Sequence, residues 1–200
     1  QRMVVELAQD IVQPGSNVYD LGCSTGTTLL MLDRALPADV NFIGVDDSRE
    51  MLVKCESKLR EHQVKRNVDL ECADLHLGVE MKDASLALMV LTLQFLRPLH
   101  RERLIADVFK GLRENGGLIL VEKVLGEDSH FNRLFIKHYY DFKRRNGYSE
   151  TEIAQKREAL ENVLIPYKLL ENRELLLKSG FRYVDVFFKW YNFCGIVAIK

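Results

Sequence analysis

The stretch NVYDLGCSTGTTLLMLDRAL, residues 17–36, runs from a short apolar segment through two glycines into a helical pattern. A strand that enters a glycine turn and leaves it as a helix is the opening βα unit of a parallel α/β sheet. Such a turn lies at the carboxyl edge of the sheet, where doubly wound folds bind ligands. Gly22 and Gly26 let backbone approach a ligand with no Cβ in the way. Glycines alone do not separate a ligand loop from a tight turn.

Two carboxylates further along do separate them. Asp46 closes the next apolar run, VNFIGVD (40–46), where a carboxylate can accept both hydroxyls of a ribose. Asp74 follows a third run, VDLEC (68–72), where a carboxylate can accept the exocyclic amine of an adenine. Singly these are a strand-end acid and a helix N-cap; together, at three successive strand ends, they predict an adenosine-type cofactor. What the loop lacks narrows the choice. A dinucleotide fold has GxGxxG, its middle glycine making room for a pyrophosphate, but here the turn is G-C-S-T-G and Ser24 takes that place. No P-loop pattern is present. Asp20, at the end of the strand, would repel a phosphate and suits the ammonium of an amino acid. The expected ligand therefore combines a ribose, an adenine and an amino-acid tail.

The rest of the chain continues the alternation. QRMVVELAQDIV is amphipathic, and QPGS (13–16) turns into the first strand. SREMLVKCESKLREHQ (48–63) reads as a helix capped by Ser48, with Met51, Leu52, Cys55 and Leu59 on one face. SLALMVL (85–91) is a fourth strand, RERLIADVFKGLR (101–113) a helix stopped by Asn115, Gly116 and Gly117, and LILVEKV (118–124) a fifth strand. Residues 127–170 hold no strand-like run and read as helices rich in charge and aromatics, with SETE (149–152) a capping box. ENRELLLKSG is the last helix; YVDVFFKWY and NFCGIVAIK then close the chain as a strand pair, with Asn192 as turn signal. The expected fold class is α/β: a Rossmann-like, seven-stranded mixed sheet with helices on both faces, a terminal antiparallel pair and a helical insertion after strand five. Residues 1–200 read as one domain, with 127–170 as a lid.

Composition sets outer limits. Two hundred residues, 47% hydrophobic and 28% charged, suit one soluble globular domain. Twenty-eight basic against 29 acidic side chains give no global field for steering onto nucleic acid, so direct nucleic-acid binding is not expected. Cys23, Cys55, Cys72 and Cys194 form no CxxC pair, and His62, His76, His100 and His130 are isolated, so no metal is expected and the thiols read as core residues in a reducing, cytoplasmic setting. No apolar run approaches the roughly 20 residues needed to span a bilayer. Gln1 already lies inside a helical pattern, so an unseen upstream segment is expected.

The combination of cofactor signals resembles the class I S-adenosylmethionine-dependent methyltransferases. YDLGCS with Gly26, DDS (46–48), TLQFL (92–96), DFKRRNGYSETEIAQKREALENV (141–163) and NF (192–193) are similar to the carboxy-S-adenosyl-L-methionine synthase family. The resemblance covers essentially the whole chain, and the 141–163 stretch is specific because the generic fold does not require it. It implies conversion of S-adenosyl-L-methionine and prephenate into carboxy-S-adenosyl-L-methionine and phenylpyruvate, the product serving a separate enzyme that modifies the wobble uridine of certain tRNAs. It also implies cofactor contacts at Gly22, Cys23, Ser24, Asp46, Asp47, Asp74 and Leu75. Val90 falls where the family has a cofactor-contacting asparagine, and Leu175 where it has an arginine that grips the added carboxylate. Beside this reading stand a conventional methyltransferase acting on a small molecule or tRNA, which would release S-adenosyl-L-homocysteine, and a non-catalytic cofactor-binding module.

KHYYDFKRRNGYS (137–149) is the remaining candidate. It reads as a solvated amphipathic helix, or as a lid in which Lys143 and Arg144, beside Tyr139, hold a small anionic substrate such as a dicarboxylate. An RNA-facing patch is a third option that the overall charge balance disfavours. Cys23 has no base near it in sequence, so a packing or backbone role is expected rather than nucleophilic chemistry. The aromatics of VFFKWYNF (186–193) read as sheet core and as the core of a homodimer.

Overall fold

In the computed structural model, which describes residues 1–200, β1 (Asn17–Leu21) is the axis of a seven-stranded sheet. It pairs in parallel with β2 (Asn41–Asp46) on one side and β4 (Ala84–Val90) on the other; β3 (Val68–Cys72) extends the β2 side. Beyond β4 lie β5 (Leu112–Lys123), parallel to it, and then β7 (Phe193–Ile199) and β6 (Tyr183–Trp190), both in antiparallel ladders. The order β3-β2-β1-β4-β5-β7-β6 is the mixed sheet that the sequence predicts.

Alternation along each strand divides the core between two faces. Val18, Leu86, Leu88 and Ile119 point toward α1 (Arg2–Ile11), α2 (Thr27–Asp33) and α3 (Arg49–Glu61), which contribute Val4, Ala8, Leu29, Leu32, Leu52, Cys55 and Leu59. Tyr19, Ala87, Met89 and Leu120 point the other way, toward α4 (Pro98–Gly111) and α7 (Leu169–Lys178) with Leu104, Ile105, Val108 and Leu176. Six of the seven β4 residues are buried, as a parallel strand covered on both faces requires.

Several element ends differ from the sequence reading, each for a local reason. The last turn of α2 is lost because Arg66 reaches in from 33 residues away and donates to the carbonyls of Asp33, Leu36, Pro37 and Val40. Helix α4 starts at Pro98, whose fixed φ suits the first helical turn. It stops at Gly111, because Leu112 turns extended to pair with Ala84 and buries its side chain. At the closing hairpin, Tyr191 takes the left-handed conformation (φ +45°), while Asn192, the expected turn residue, is buried.

The insertion folds as α5 (Ser129–Arg145) and α6 (Glu150–Leu160). Asp128 caps α5 by accepting from the amides of His130 and Phe131, and Ser149 with Glu152 forms the expected capping box on α6. Helix α5 lies on the hairpin through aromatic pairs: Tyr139 on Phe193 at 5.3 Å, Phe142 on Trp190 at 5.1 Å and His138 stacked on Tyr191 at 4.6 Å. The hairpin aromatics are thus covered by this chain's own insertion.

Candidate active site

The carboxyl ends of β1 to β4 open on a cavity of about 530 Å³. Its lining includes Gly22, Ser24, Asp46, Asp47, Asp74, Leu75 and Val90, all expected from the sequence, together with Ala73, His76, Leu91, Thr92, Phe95, Leu96 and Val163. The loop after β1 is pinned from below, where the amides of Gly22 and Cys23 both donate to the Val45 carbonyl, at 2.7 and 3.0 Å. Gly22 has φ +85°, and a Cβ there would lie 2.6 Å from the Thr92 methyl carbon, so only glycine lets the loop close against the turn that follows β4.

Asp46 holds the loop from the side. One carboxylate oxygen accepts from the Ser24 amide and the other from the Ser48 amide, each at 2.9 Å. Each oxygen has a second lone pair for a ligand hydroxyl. Asp74 accepts from the backbone amide of His76 and pairs with its ring Nδ1, both at 2.8 Å. The amide first and the ring second hold its carboxyl below the usual carboxylate range.

Asp20 lies beneath the loop, outside the cavity lining, and is 1% exposed. Its Oδ2 is buried with no hydrogen-bond partner. Burial first, and the charge of Asp46 second, push its carboxyl up to about 7. Behind the loop, the charge of Asp20 suits the ammonium of an amino-acid tail reached through water, and the Asp46 and Asp74 oxygens that line the cavity fit a ribose and an adenine amine; the residues present suit S-adenosylmethionine. The folded-state pKa lies above the unfolded value, so the ligand-free fold holds the proton below about pH 7, and this contribution to stability fades as pH rises from about 4 to about 7. A bound ammonium favours the carboxylate, so cofactor affinity should fall as pH drops below about 7, by up to about tenfold per unit. Titration calorimetry across that range checks this, and Asp20→Asn should flatten the profile; an equal slope in both proteins would contradict the assignment.

Cys23 and Gly26 lie behind the loop, outside the lining. The Cys23 side chain is buried in the core beside Gly44, and Cys55 foremost, then burial, hold its thiol far above the ordinary range, which leaves it no nucleophilic role. Gly26 starts α2 at φ +71° against the Cys55 sulfur.

Two buried residues that sequence reasoning missed brace the wall of this cavity from behind. Glu122, 2% exposed near the end of β5, accepts from the amides of Thr92, Leu93 and Gln94 and so fixes the turn that faces Gly22. Burial pushes its carboxyl up to about 8, against the pull of those amides and of Arg101. Arg101 is fully buried in α4, stacks on Tyr167 at 4.2 Å and donates to the carbonyls of Gln94, Leu96 and Ile165. It ties the turn after β4 to the segment that carries Val163. In the sequence, Glu122 reads as an ordinary strand-end acid and Arg101 as one charge among several in RERLIADVFKGLR, so nothing in the pattern marks them.

A second cavity, of about 330 Å³, lies under the insertion and is lined by Lys123, Tyr139, Tyr140, Lys143, Lys156 and Arg157 with a single acid, Glu161. Tyr139 and Lys143 are therefore brought together, as the sequence suggests. Arg144 is not: it faces outward, bonded to Asp141 and Glu150. Leu175 is on the buried face of α7, packs in the core and lines neither cavity.

A methyltransferase-domain family matches residues 18–116. Over 201 residues the chain is 63% identical to a carboxy-S-adenosyl-L-methionine synthase of Methylococcus capsulatus, covering 100% of this chain and 83% of that protein. The chain belongs to the carboxy-S-adenosyl-L-methionine synthase family. A synthase of the same name from Helicobacter pylori is 42% identical over 197 residues, covering 98% of this chain and 81% of its own length. Among solved structures, the YcgJ protein of Bacillus subtilis superposes with a TM-score of 0.72 at 15% identity, covering 100% and 99% of the two chains. A S-adenosylmethionine-dependent methyltransferase from Methanosarcina mazei gives 0.66 at 19% identity, covering 96% and 95%. At those identities the likeness establishes the class I methyltransferase fold alone. As a member of the synthase family, the chain is an S-adenosylmethionine-dependent transferase, and its cofactor is S-adenosyl-L-methionine.

Proposed function

We propose that this chain makes carboxy-S-adenosyl-L-methionine from S-adenosyl-L-methionine and prephenate, with phenylpyruvate and water as the other products: the ring carboxylate of prephenate leaves as CO2 and is bonded to the methyl carbon, and the ring hydroxyl leaves with the proton that carbon gives up. The observation that carries the reading is a cavity rimmed by Asp46, Asp47 and Asp74 with a cationic cavity beside it under the insertion, in a chain whose relatives bear the synthase name. When bound, S-adenosylmethionine supplies a carbon activated by its sulfonium. The protein's part is to hold and shield. Asp46 takes the ribose hydroxyls and Asp74 the adenine amine, Asp20 attracts the ammonium from beneath the loop through water, and Val90, Leu91 and Phe95 give an apolar wall beside the reacting centre. The segment 127–170 acts as the lid over the anionic co-substrate. The product feeds tRNA wobble modification by another enzyme, so this chain needs no nucleic-acid surface of its own, and it works in the cytoplasm. The exposed apolar residues of α5, among them Phe131 and Leu134, are the face we assign to a homodimer.

The reading requires that phenylpyruvate appear in step with the disappearance of S-adenosylmethionine when both substrates are supplied. Phenylpyruvate release with the cofactor untouched, or S-adenosyl-L-homocysteine accumulating with a methyl acceptor, would overturn it; the latter is what the apolar Val90 in the cavity wall would suit if the chain were a conventional methyltransferase.

A further inference from the structure

The hairpin between β6 and β7 closes on a two-residue loop, Tyr191–Asn192, between the paired Trp190 and Phe193, and such a loop calls for a positive φ at its first residue. Tyr191 sits at φ +45°, a conformation that a bulky side chain rarely adopts. Its effect is to turn Asn192 inward, where the residue is 1% exposed and both its side-chain nitrogen and its side-chain oxygen lack any hydrogen-bond partner. Asparagine amides buried in this way cost stability unless something pairs with them. Asn192 faces a pocket of about 120 Å³ that shares Lys123, Tyr139 and Tyr140 with the larger cationic cavity beneath the insertion.

The charges there are also unpaired. Lys123 and Lys143 both approach the ring of Tyr139, at 5.2 and 4.9 Å, and neither has a carboxylate within salt-bridge distance. Burial first, and Lys143 second, lower the pKa of Lys123, the signature of a cation with no anion to balance it. The turn that separates the two sites presents Val163 to the cofactor cavity and Glu161 to the cationic one. Residues 161–163 thus contribute to the wall of both cavities.

We propose that Lys123, Lys143 and Asn192 form the carboxylate subsite of the co-substrate, holding the carboxylate that it keeps through the reaction while the one it loses faces the cofactor. The lysines supply the charge, and the Asn192 amide, fixed by the strained hairpin, supplies directional hydrogen bonds. This rests on the reading that the co-substrate is a dicarboxylate of the prephenate type.

The test is steady-state kinetics and calorimetry on the intact chain. Lys143→Met and the isosteric Asn192→Asp should each raise KM for prephenate about tenfold or more, with Kd for S-adenosylmethionine changed less than twofold and Lys143→Arg retaining most of the affinity. If both variants keep the wild-type KM for prephenate, the pocket holds only water and the proposal fails. If the wild-type chain forms no carboxylated cofactor, the reaction reading fails, and the subsite is judged by binding alone: prephenate titrated into wild type and Lys143→Met. Binding that the substitution abolishes upholds the subsite, and no binding to either protein, or equal binding to both, overturns it.

Discussion

Replacing Asp46 with alanine is expected to weaken S-adenosylmethionine binding by about 30-fold or more, the equivalent of roughly 2 kcal/mol. Two losses combine. The ribose acceptor disappears, and so do the bonds that hold the Ser24 and Ser48 amides at 2.9 Å, so the loop after β1 loses its lateral support. Because α3 starts at Arg49 with Ser48 as its cap, the substitution should also lower thermal stability slightly. Asp46→Asn separates the two losses, since the amide keeps one acceptor and much of the shape. Calorimetric titration of the cofactor into the three proteins is the measurement; an alanine variant with Kd within twofold of wild type would remove Asp46 from the site.

Gly22→Ala is expected to damage both the fold and the site. The residue would have to hold φ +85° with its Cβ on the Thr92 side chain, and the main chain of Thr92 is held in place by Glu122 through its amide. Left-handed strain and overpacking together cost about 3 kcal/mol. Two relaxations are open to the chain. It can shift the loop off the Val45 carbonyl, which spoils the cofactor cavity, or push out the turn after β4, which breaks the Glu122 network. Either way, melting temperature and cofactor affinity should fall together. An alanine variant that loses less than about 1 kcal/mol in urea denaturation and binds the cofactor normally would show that the loop has room that the geometry denies it.

The contrast between what was legible in the sequence and what was not has a physical basis. Strand and helix order could be read because burial on both faces makes the parallel strands continuous apolar runs and because glycine turns punctuate them. The cofactor cavity could be read because its polar residues are strand-end residues, Asp46 and Asp74, whose positions follow once the strands are placed. Neither logic reaches Glu122, Arg101 or Asn192. Each acts across a long sequence separation: Glu122 on a turn 28 to 30 residues earlier, Arg101 on Ile165, 64 residues later, and Asn192 under a helix of the insertion. Their roles depend on burial, and Asn192 in particular sits where a turn residue is expected to be exposed. Arg144 illustrates the converse. Its sequence neighbourhood groups it with Lys143, but consecutive helical residues face different directions, and nearby acids on the helix surface claim the guanidinium.

Carboxyl transfer is tested most directly by the mass of the cofactor after turnover. Incubated with S-adenosyl-L-methionine and prephenate and read by mass spectrometry, the protein should yield a cofactor about 44 Da heavier, the mass of one CO2. Recovery of the cofactor at its starting mass, or only as S-adenosyl-L-homocysteine, would contradict it.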